Sequence, residues 1–236
     1  MKRLLLLFAA CLVLCGATFA DVTVGTFQTG NCYPFMCNDS GTNSGQSIDF
    51  QQVYTSTAFS GSTTINSITW YFDNIDGGNP LAIGGQYTFY WGYASFGSVN
   101  NLSTCLSCNY IGSPNLLGTA TIPTGGINDN PTLTLTGFAP FTYNPALGNL
   151  LLEVVVNNQD IVPNGSGNGY NQADESGVAT SRAYCLTGFG CFADSVGLVT
   201  TFGTGGGGNV PEPASLILLG SGLLGLASRA RKYLNQ

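Results

Sequence analysis

Short β-type segments separated by turn-forming residues run through the middle of the chain. In residues 65–72 and 86–93, apolar side chains occupy every second position, with Trp70 on the first segment and Trp91 on the second. This period-2 pattern, bounded by turns such as Asp-Gly-Gly-Asn-Pro at 76–80, predicts half-buried strands. Further strands are predicted at residues 47–55, 57–59, 116–122, 132–136, 150–156 and 195–202. Their number and spacing predict an all-β fold, an antiparallel β-sandwich or jelly roll over residues 21–203.

The N-terminus has the three parts of a secretory signal peptide. Lys2 and Arg3 precede the apolar residues 4–14, and Thr-Phe-Ala at 18–20 offers a cleavage site between Ala20 and Asp21. We therefore expect residues 1–20 to be an apolar helix that is removed during export. A lipoprotein site at Cys15 is disfavoured, because the large Leu14 stands where a small residue is needed.

The C-terminus follows a second ordered pattern. A Gly-rich linker at residues 204–209 leads to Pro211, Glu212 and Pro213, then to the apolar residues 214–227 and the basic cluster Arg229, Arg231 and Lys232. An apolar helix over 214–227 would be roughly 21 Å long, short of the ~30 Å hydrocarbon core of a bilayer. This predicts a transient anchor with its basic end in the cytoplasm.

This order of Val-Pro-Glu-Pro-Ala-Ser, apolar helix and basic cluster in residues 210–236 resembles the PEP-CTERM protein-sorting signal. The resemblance implies export, with recognition of Pro211, Glu212 and Pro213 by an exosortase-type membrane transpeptidase. It also implies removal of the tail and display at the cell surface or in an exopolysaccharide matrix. Residues 52–59, 65–72 and 141–154 are similar to an ectodomain that many such proteins carry, a β-sandwich without an assigned activity.

Charged residues are few and unbalanced in the predicted ectodomain. Its only cation is Arg182, against eleven carboxylates, and the whole chain lacks histidine. Such a surface repels phosphate backbones, which excludes nucleic-acid binding. Without histidine, or lysine in residues 21–209, the Ser-His-Asp, Cys-His and Ser-Lys mechanisms are excluded.

Carboxylates alone could still hydrolyse a glycosidic bond if two of them lay close together with one kept protonated. Most acids here fall in polar turns. Glu153 is the exception, but alternation places it on the strand face opposite Leu152 and Val154, where we expect solvent or a sheet edge. The sequence therefore predicts no catalytic residues and a protein that is not an enzyme.

Six cysteines remain after removal of a signal peptide, and they fall in three close pairs. An even number in an exported chain predicts disulfides, although six cysteines allow fifteen pairings. The local pairing is preferred, because each pair sits in a loop rich in turn-forming residues: Cys32–Cys37, Cys105–Cys108 and Cys185–Cys191.

A weaker feature of the sequence concerns metal binding. Asp73 and Asp76 place oxygen atoms on one turn and are candidate Ca²⁺ ligands, but Ile75 breaks the EF-hand pattern and an Asx-turn is the preferred interpretation. We therefore expect no cofactor and no bound metal.

The crowded aromatic residues are expected to be mainly core, with Trp70 and Trp91 interior. On the opposite face, Tyr71 and Tyr90 could offer a platform on which sugars stack. The leading hypothesis is an exported, non-catalytic surface or matrix protein with a structural or adhesive role. A carbohydrate-binding module is the alternative, and an extracellular carbohydrate-active enzyme is the second alternative.

Overall fold

Strands dominate the part of the chain that the computed structural model describes, which is residues 20–35, 46–73, 82–123, 132–159 and 170–204. These residues form three antiparallel sheets, and no helix among them reaches seven residues. The all-β prediction is therefore confirmed. The described residues from Asp21 onward belong to one unit that spans residues 21–205.

The larger sheet contains seven strands: β1 (Val22–Val24), β2 (Thr29–Asn31), β5 (Ser67–Asp73), β8 (Thr132–Leu135), β11 (Tyr170–Asp174), β14 (Gly197–Leu198) and β15 (Thr200–Gly203). Their order is β1-β15-β5-β11-β14, with β8 paired to β5 and β2 paired to β11. The central strand β5 thus joins partners that lie far apart in sequence.

The second sheet contains six strands: β3 (Gln46–Tyr54), β6 (Gly85–Ala94), β7 (Tyr110–Ile122), β10 (Leu150–Gln159), β12 (Thr180–Leu186) and β13 (Gly190–Asp194). Their order is β13-β12-β3-β10-β6-β7. Two short strands, β4 (Thr63–Ile65) and β9 (Phe141–Tyr143), form a separate pair. Short 3₁₀ turns lie at Ser56–Ala58, Val99–Asn101, Leu106–Asn109 and Pro145–Leu147.

The main hydrophobic core lies between the two large sheets. Trp70 on β5 stacks on Phe89 of β6 with ring centroids 5.9 Å apart. Tyr54 of β3 meets Phe202 of β15 edge to face at 4.9 Å. Each fully buried side chain of this size contributes about 1.5–3 kcal/mol, so the inward positions of these strands hold the sandwich together.

A smaller core covers one end of the outer face of the six-stranded sheet. Val53, Leu151 and Ala183 point outward from three neighbouring strands and are buried beneath Leu102 and Leu106. The covering residues belong to segment 95–110, which connects β6 to β7. At this end the six-stranded sheet is therefore covered on both faces, by the opposite sheet on the inner face and by this segment on the outer face.

Three predicted strands differ from those observed. Residues 57–59 are not a strand, because the Thr55 hydroxyl accepts a hydrogen bond from the Thr57 amide and caps a 3₁₀ turn. Residues 65–72 divide between β4 and β5 in different sheets, where the Asn66 amide donates to the Gly203 carbonyl. Residues 195–202 divide into β14 and β15 at Val199, whose amide donates to the Gln172 carbonyl.

Most of the two terminal segments lies outside the described residues. This applies to residues 1–19 of the predicted signal peptide, residues 205–209 of the linker and the sorting segment 210–236. Both predicted terminal helices therefore fall there. In the described ranges, no helix has the length and apolar character needed to cross a bilayer.

Candidate functional site

A row of four threonines crosses the outer face of the seven-stranded sheet. Strand registers place Thr23 opposite Thr201, Thr201 opposite Thr69, and Thr69 opposite Thr134, on β1, β15, β5 and β8. The side chains point outward because their neighbours along each strand, such as Ile68 and Trp70 beside Thr69, are buried in the core. We call these four residues the threonine row.

Hydrogen bonds order the hydroxyls of the threonine row. The Oγ1 atoms of Thr23 and Thr201 are 2.7 Å apart, and those of Thr69 and Thr134 are 3.0 Å apart. A hydroxyl has one donor and two acceptor positions, so each retains capacity for a further partner.

Two aromatic residues continue this face beside the threonine row. Tyr71 follows Thr69 on the outward side of β5, and its hydroxyl lies 2.6 Å from Thr201 Oγ1. Phe27 packs against the Tyr71 ring edge to face, with centroids 5.2 Å apart, and remains 53% exposed. The threonine row together with Phe27 and Tyr71 is called the hydroxyl face, and all six side chains are uncharged.

Tyr90, the other predicted stacking residue, is not on the hydroxyl face. It lies on β6 of the six-stranded sheet, where it pairs with Glu153 on one side and Leu116 on the other. Tyr71 is on β5 of the seven-stranded sheet. The structure therefore does not bring Tyr71 and Tyr90 together into one platform, since each lies on a different sheet.

Glu153 belongs to a polar cluster beneath segment 95–110. Its two carboxylate oxygens accept hydrogen bonds from Gln51 Nε2 at 3.0 Å and from the Tyr110 hydroxyl at 3.2 Å. Gln51 in turn accepts from Asn109 Nδ2 at 2.9 Å. The tyrosine ring fits there because residue 92 is glycine, where a Cβ atom would lie 2.7 Å from the ring.

The prediction that Glu153 points away from Leu152 and Val154 is confirmed, since those two side chains lie in the main core. The expectation that it faces solvent or an edge is wrong. Glu153 is on a central strand and is half-buried, because Tyr110, at the end of segment 95–110, reaches over it.

Asp49 lies next to this cluster on β3, diagonally across from Glu153 of β10. Burial, together with the neighbouring Glu153 carboxylate, raises the pKa of Asp49 from 3.8 to about 7. Burial and the same carboxylate also raise the pKa of the Tyr110 phenol. The cluster thus favours a protonated Asp49 beside the hydrogen-bonded Glu153.

The raised pKa of Asp49 predicts that the folded state is more stable at acidic pH than at neutral pH. The folded state holds this proton up to about pH 7, whereas an unfolded aspartate loses it near 3.8. This contribution is complete below pH 3.8 and is lost as pH rises through 7. Asp49→Asn should reduce the difference in unfolding free energy between pH 5 and pH 8 by about 2 kcal/mol. Urea titrations of the wild type and of Asp49→Asn at both pH values measure these free energies of unfolding.

The matched control for this pH prediction is Asp21→Asn, since Asp21 is exposed and lies outside the cluster formed by Asp49, Glu153 and Tyr110. The pH dependence attributed to Asp49 should persist in this variant. An Asp49→Asn protein with the same pH dependence as the wild type would contradict the proton assignment.

The candidate Ca²⁺ turn is largely outside the described residues. Asp73 ends β5, whereas Asp76 lies in the undescribed range 74–81. Among the described residues, no group of three or more His, Cys, Asp or Glu side chains could hold a metal ion. The Ca²⁺ hypothesis therefore gains no support from the geometry.

Two of the three local cysteine pairs are present as disulfides. Cys105–Cys108 closes part of segment 95–110, and Cys185–Cys191 joins β12 to β13. Cys32 is also disulfide-bonded, and its predicted partner Cys37 lies outside the described residues. The bonds between described cysteines tie loops locally and link no distant strands.

Comparison with known proteins identifies the C-terminal segment. Residues 209–232 match the PEP-CTERM protein-sorting motif, and this match includes Pro211, Glu212 and Pro213. The chain therefore carries the signal of an exported protein that is sorted by exosortase. No curated protein and no solved structure matches the chain.

Sequence reasoning missed most of the hydroxyl face. Thr134 and Thr201 occupy polar positions of predicted strands, so alternation alone could have marked them as outward. Thr23 lies in the three-residue strand β1, which is too short for a periodic pattern to reveal, and Phe27 follows that strand. The register that aligns the four threonines depends on pairing between residues up to 178 positions apart, as for Thr23 and Thr201.

Proposed function

We propose that the mature protein is a non-catalytic adhesive component of the cell surface or exopolysaccharide matrix. The observation that carries this proposal is the sorting motif at residues 209–232, placed directly after a disulfide-bonded β-sandwich. An exosortase-type transpeptidase would recognise Pro211, Glu212 and Pro213 and separate the ectodomain from the C-terminal segment. The ectodomain then acts outside the cell.

The engagement of the acidic groups supports a non-catalytic role. Both oxygens of Glu153 accept hydrogen bonds within the fold, and Tyr110 covers the carboxylate. Glycoside hydrolysis needs two carboxyl groups on either side of an accessible glycosidic bond. Asp49 and Glu153 instead share one covered cluster, which fits a role in stabilising segment 95–110.

The proposal predicts processing at the C-terminus followed by retention in the matrix. An epitope tag after Gln236 should be absent from the matrix-located protein, because the tail is removed. Glu212→Ala should keep the tag on the chain and leave it with the cells. Immunoblots of cell and matrix fractions measure both results.

The adhesive role is tested by deleting the gene and measuring cohesion of the matrix under shear. Cohesion should fall and should return with the wild-type chain and with Glu153→Gln, but not with Glu212→Ala. Unchanged cohesion in the deletion strain would contradict the adhesive role. Polysaccharide hydrolysis by the exported protein, abolished in Glu153→Gln, would instead support an enzyme.

A further inference from the structure

We propose that the hydroxyl face binds a neutral polysaccharide, an inference that rests on the proposed adhesive function and names its partner. The face consists of the threonine row with Phe27 and Tyr71. It combines ordered hydroxyls on four strands of one sheet with the aromatic surface of Phe27 and Tyr71. Polysaccharides present the complementary chemistry, with hydroxyls at their edges and C–H groups on the faces of their rings.

The hydroxyl spacing suits an extended polymer. Neighbouring strands lie roughly 4.8 Å apart, so a row across four strands extends about 14 Å. Thr69 and Thr134 bond each other, as do Thr23 and Thr201, and each pair can still exchange hydrogen bonds with a polyol laid along the row. A long chain can therefore contact several strands at once.

The aromatic pair supplies the apolar part of the contact. Phe27 exposes about half of its surface beside the threonine row, where it packs against Tyr71. Tyr71 is held in place by Phe27 and by the 2.6 Å hydrogen bond to Thr201. An aromatic ring fixed in this way gains apolar contact with little further loss of side-chain freedom.

Charge determines which polysaccharide fits. The six residues of the hydroxyl face carry no charge, and the ectodomain has eleven carboxylates against one arginine. That arginine, Arg182, is already paired with Asp194 on the other sheet. A polyanion would meet repulsion without a compensating cation, so the face favours a neutral polymer.

The experiment measures adsorption of the exported protein, purified from producing cells, to cellulose, chitin and alginate. The wild type should bind cellulose or chitin more tightly than the polyanion alginate. Phe27→Ala, and separately Thr69→Val combined with Thr201→Val, should each weaken binding to the neutral polymer roughly tenfold. Unfolding midpoints measured alongside show that the variants remain folded.

Two matched controls use equivalent residues elsewhere. Phe189 is 52% exposed and lies in the turn between β12 and β13, so Phe189→Ala removes a comparable ring from another surface. Thr64 and Thr142 form an exposed hydroxyl pair at 3.1 Å on the two-stranded sheet. Binding should survive Phe189→Ala and should survive Thr64→Val combined with Thr142→Val.

Three results would overturn this inference: adsorption to neither cellulose nor chitin, equal loss of binding in Phe27→Ala and Phe189→Ala, or preference for alginate. These failures are distinct from failure of the adhesive role. If deletion weakens the matrix but the protein binds no neutral polymer, the adhesive role stands and the polysaccharide inference falls. If the protein binds cellulose through Phe27 but deletion leaves cohesion unchanged, the polysaccharide inference stands and the adhesive role falls.

Discussion

Trp70→Ala should abolish the accumulation of soluble, folded protein. Trp70 is 2% exposed and lies where the two large sheets meet, between Phe35 at 5.0 Å and Phe89 at 5.9 Å. Removing a buried tryptophan ring leaves a cavity and costs about 3–5 kcal/mol. A domain is stable by only about 5–15 kcal/mol in total, so this loss consumes a large part of the available free energy.

Trp91→Ala is the matched comparison for Trp70→Ala, since both variants remove a tryptophan ring from the ectodomain. Trp91 was expected to be interior, but it is only half-buried, stacked on Phe141 at 4.3 Å. Its truncation should therefore lower the free energy of unfolding by clearly less. Urea denaturation followed by tyrosine and tryptophan fluorescence measures both, with export yield as a second readout. Equal effects at the two positions would contradict the assigned packing.

Asp194→Ala should destabilise the ectodomain by about 2–4 kcal/mol, because it leaves a buried cation without its counter-ion. Arg182 is largely buried, and its Nε and Nη2 atoms donate to the Asp194 carboxylate at 2.8 and 2.9 Å. Asp194 also accepts from the Val196 amide at 2.9 Å. The lower end of the range applies because the Asp194 side chain is 36% exposed.

The sign of the coupling energy between Arg182 and Asp194, measured in the free energy of unfolding, tests the role of the ion pair. Combining Arg182→Met with Asp194→Ala removes the buried charge, so the double variant should be more stable than Asp194→Ala alone. Asp21→Ala is the control, since it removes only an exposed carboxylate that accepts a hydrogen bond from the Thr204 amide. It should change the unfolding free energy by less than about 0.5 kcal/mol. A double variant less stable than Asp194→Ala would show that the guanidinium is stabilised without Asp194.

Local patterns predicted strands that overlap β3, β5, β6, β7, β8 and β10, but predicted none at β1, β2, β9, β11, β12 or β13. They also failed where a residue outside the pattern intervened. Residues 86–93 and 150–156 were placed correctly, because alternation fixes which side chains face a core. Residues 57–59 do not form a strand, because the Thr57 amide donates a hydrogen bond to the Thr55 side chain, which caps a 3₁₀ turn at Ser56–Ala58. A side-chain cap of this kind competes with strand formation and leaves no periodic signal.

The candidate site was predictable only in part. Tyr71 was recognised as outward from its place between Trp70 and Phe72, and the structure places it on the hydroxyl face. Its supposed companion Tyr90 lies on the other sheet, because β5 and β6 do not pair although they follow each other along the chain. The true neighbours of Tyr71, Phe27 and Thr201, come from the two ends of the ectodomain.

The sequence alone determined the all-β class and the sorting motif, and it pointed to the Cys105–Cys108 and Cys185–Cys191 disulfides, since each depends on residues close together along the chain. Tertiary structure decided which strands share a sheet, and with that the threonine row and the cover that Tyr110 places over Glu153. Inward and outward faces follow from a two-residue period that is built into the backbone of every strand. Strand order follows from which distant segments bury their apolar faces together, and that is a property of the whole chain.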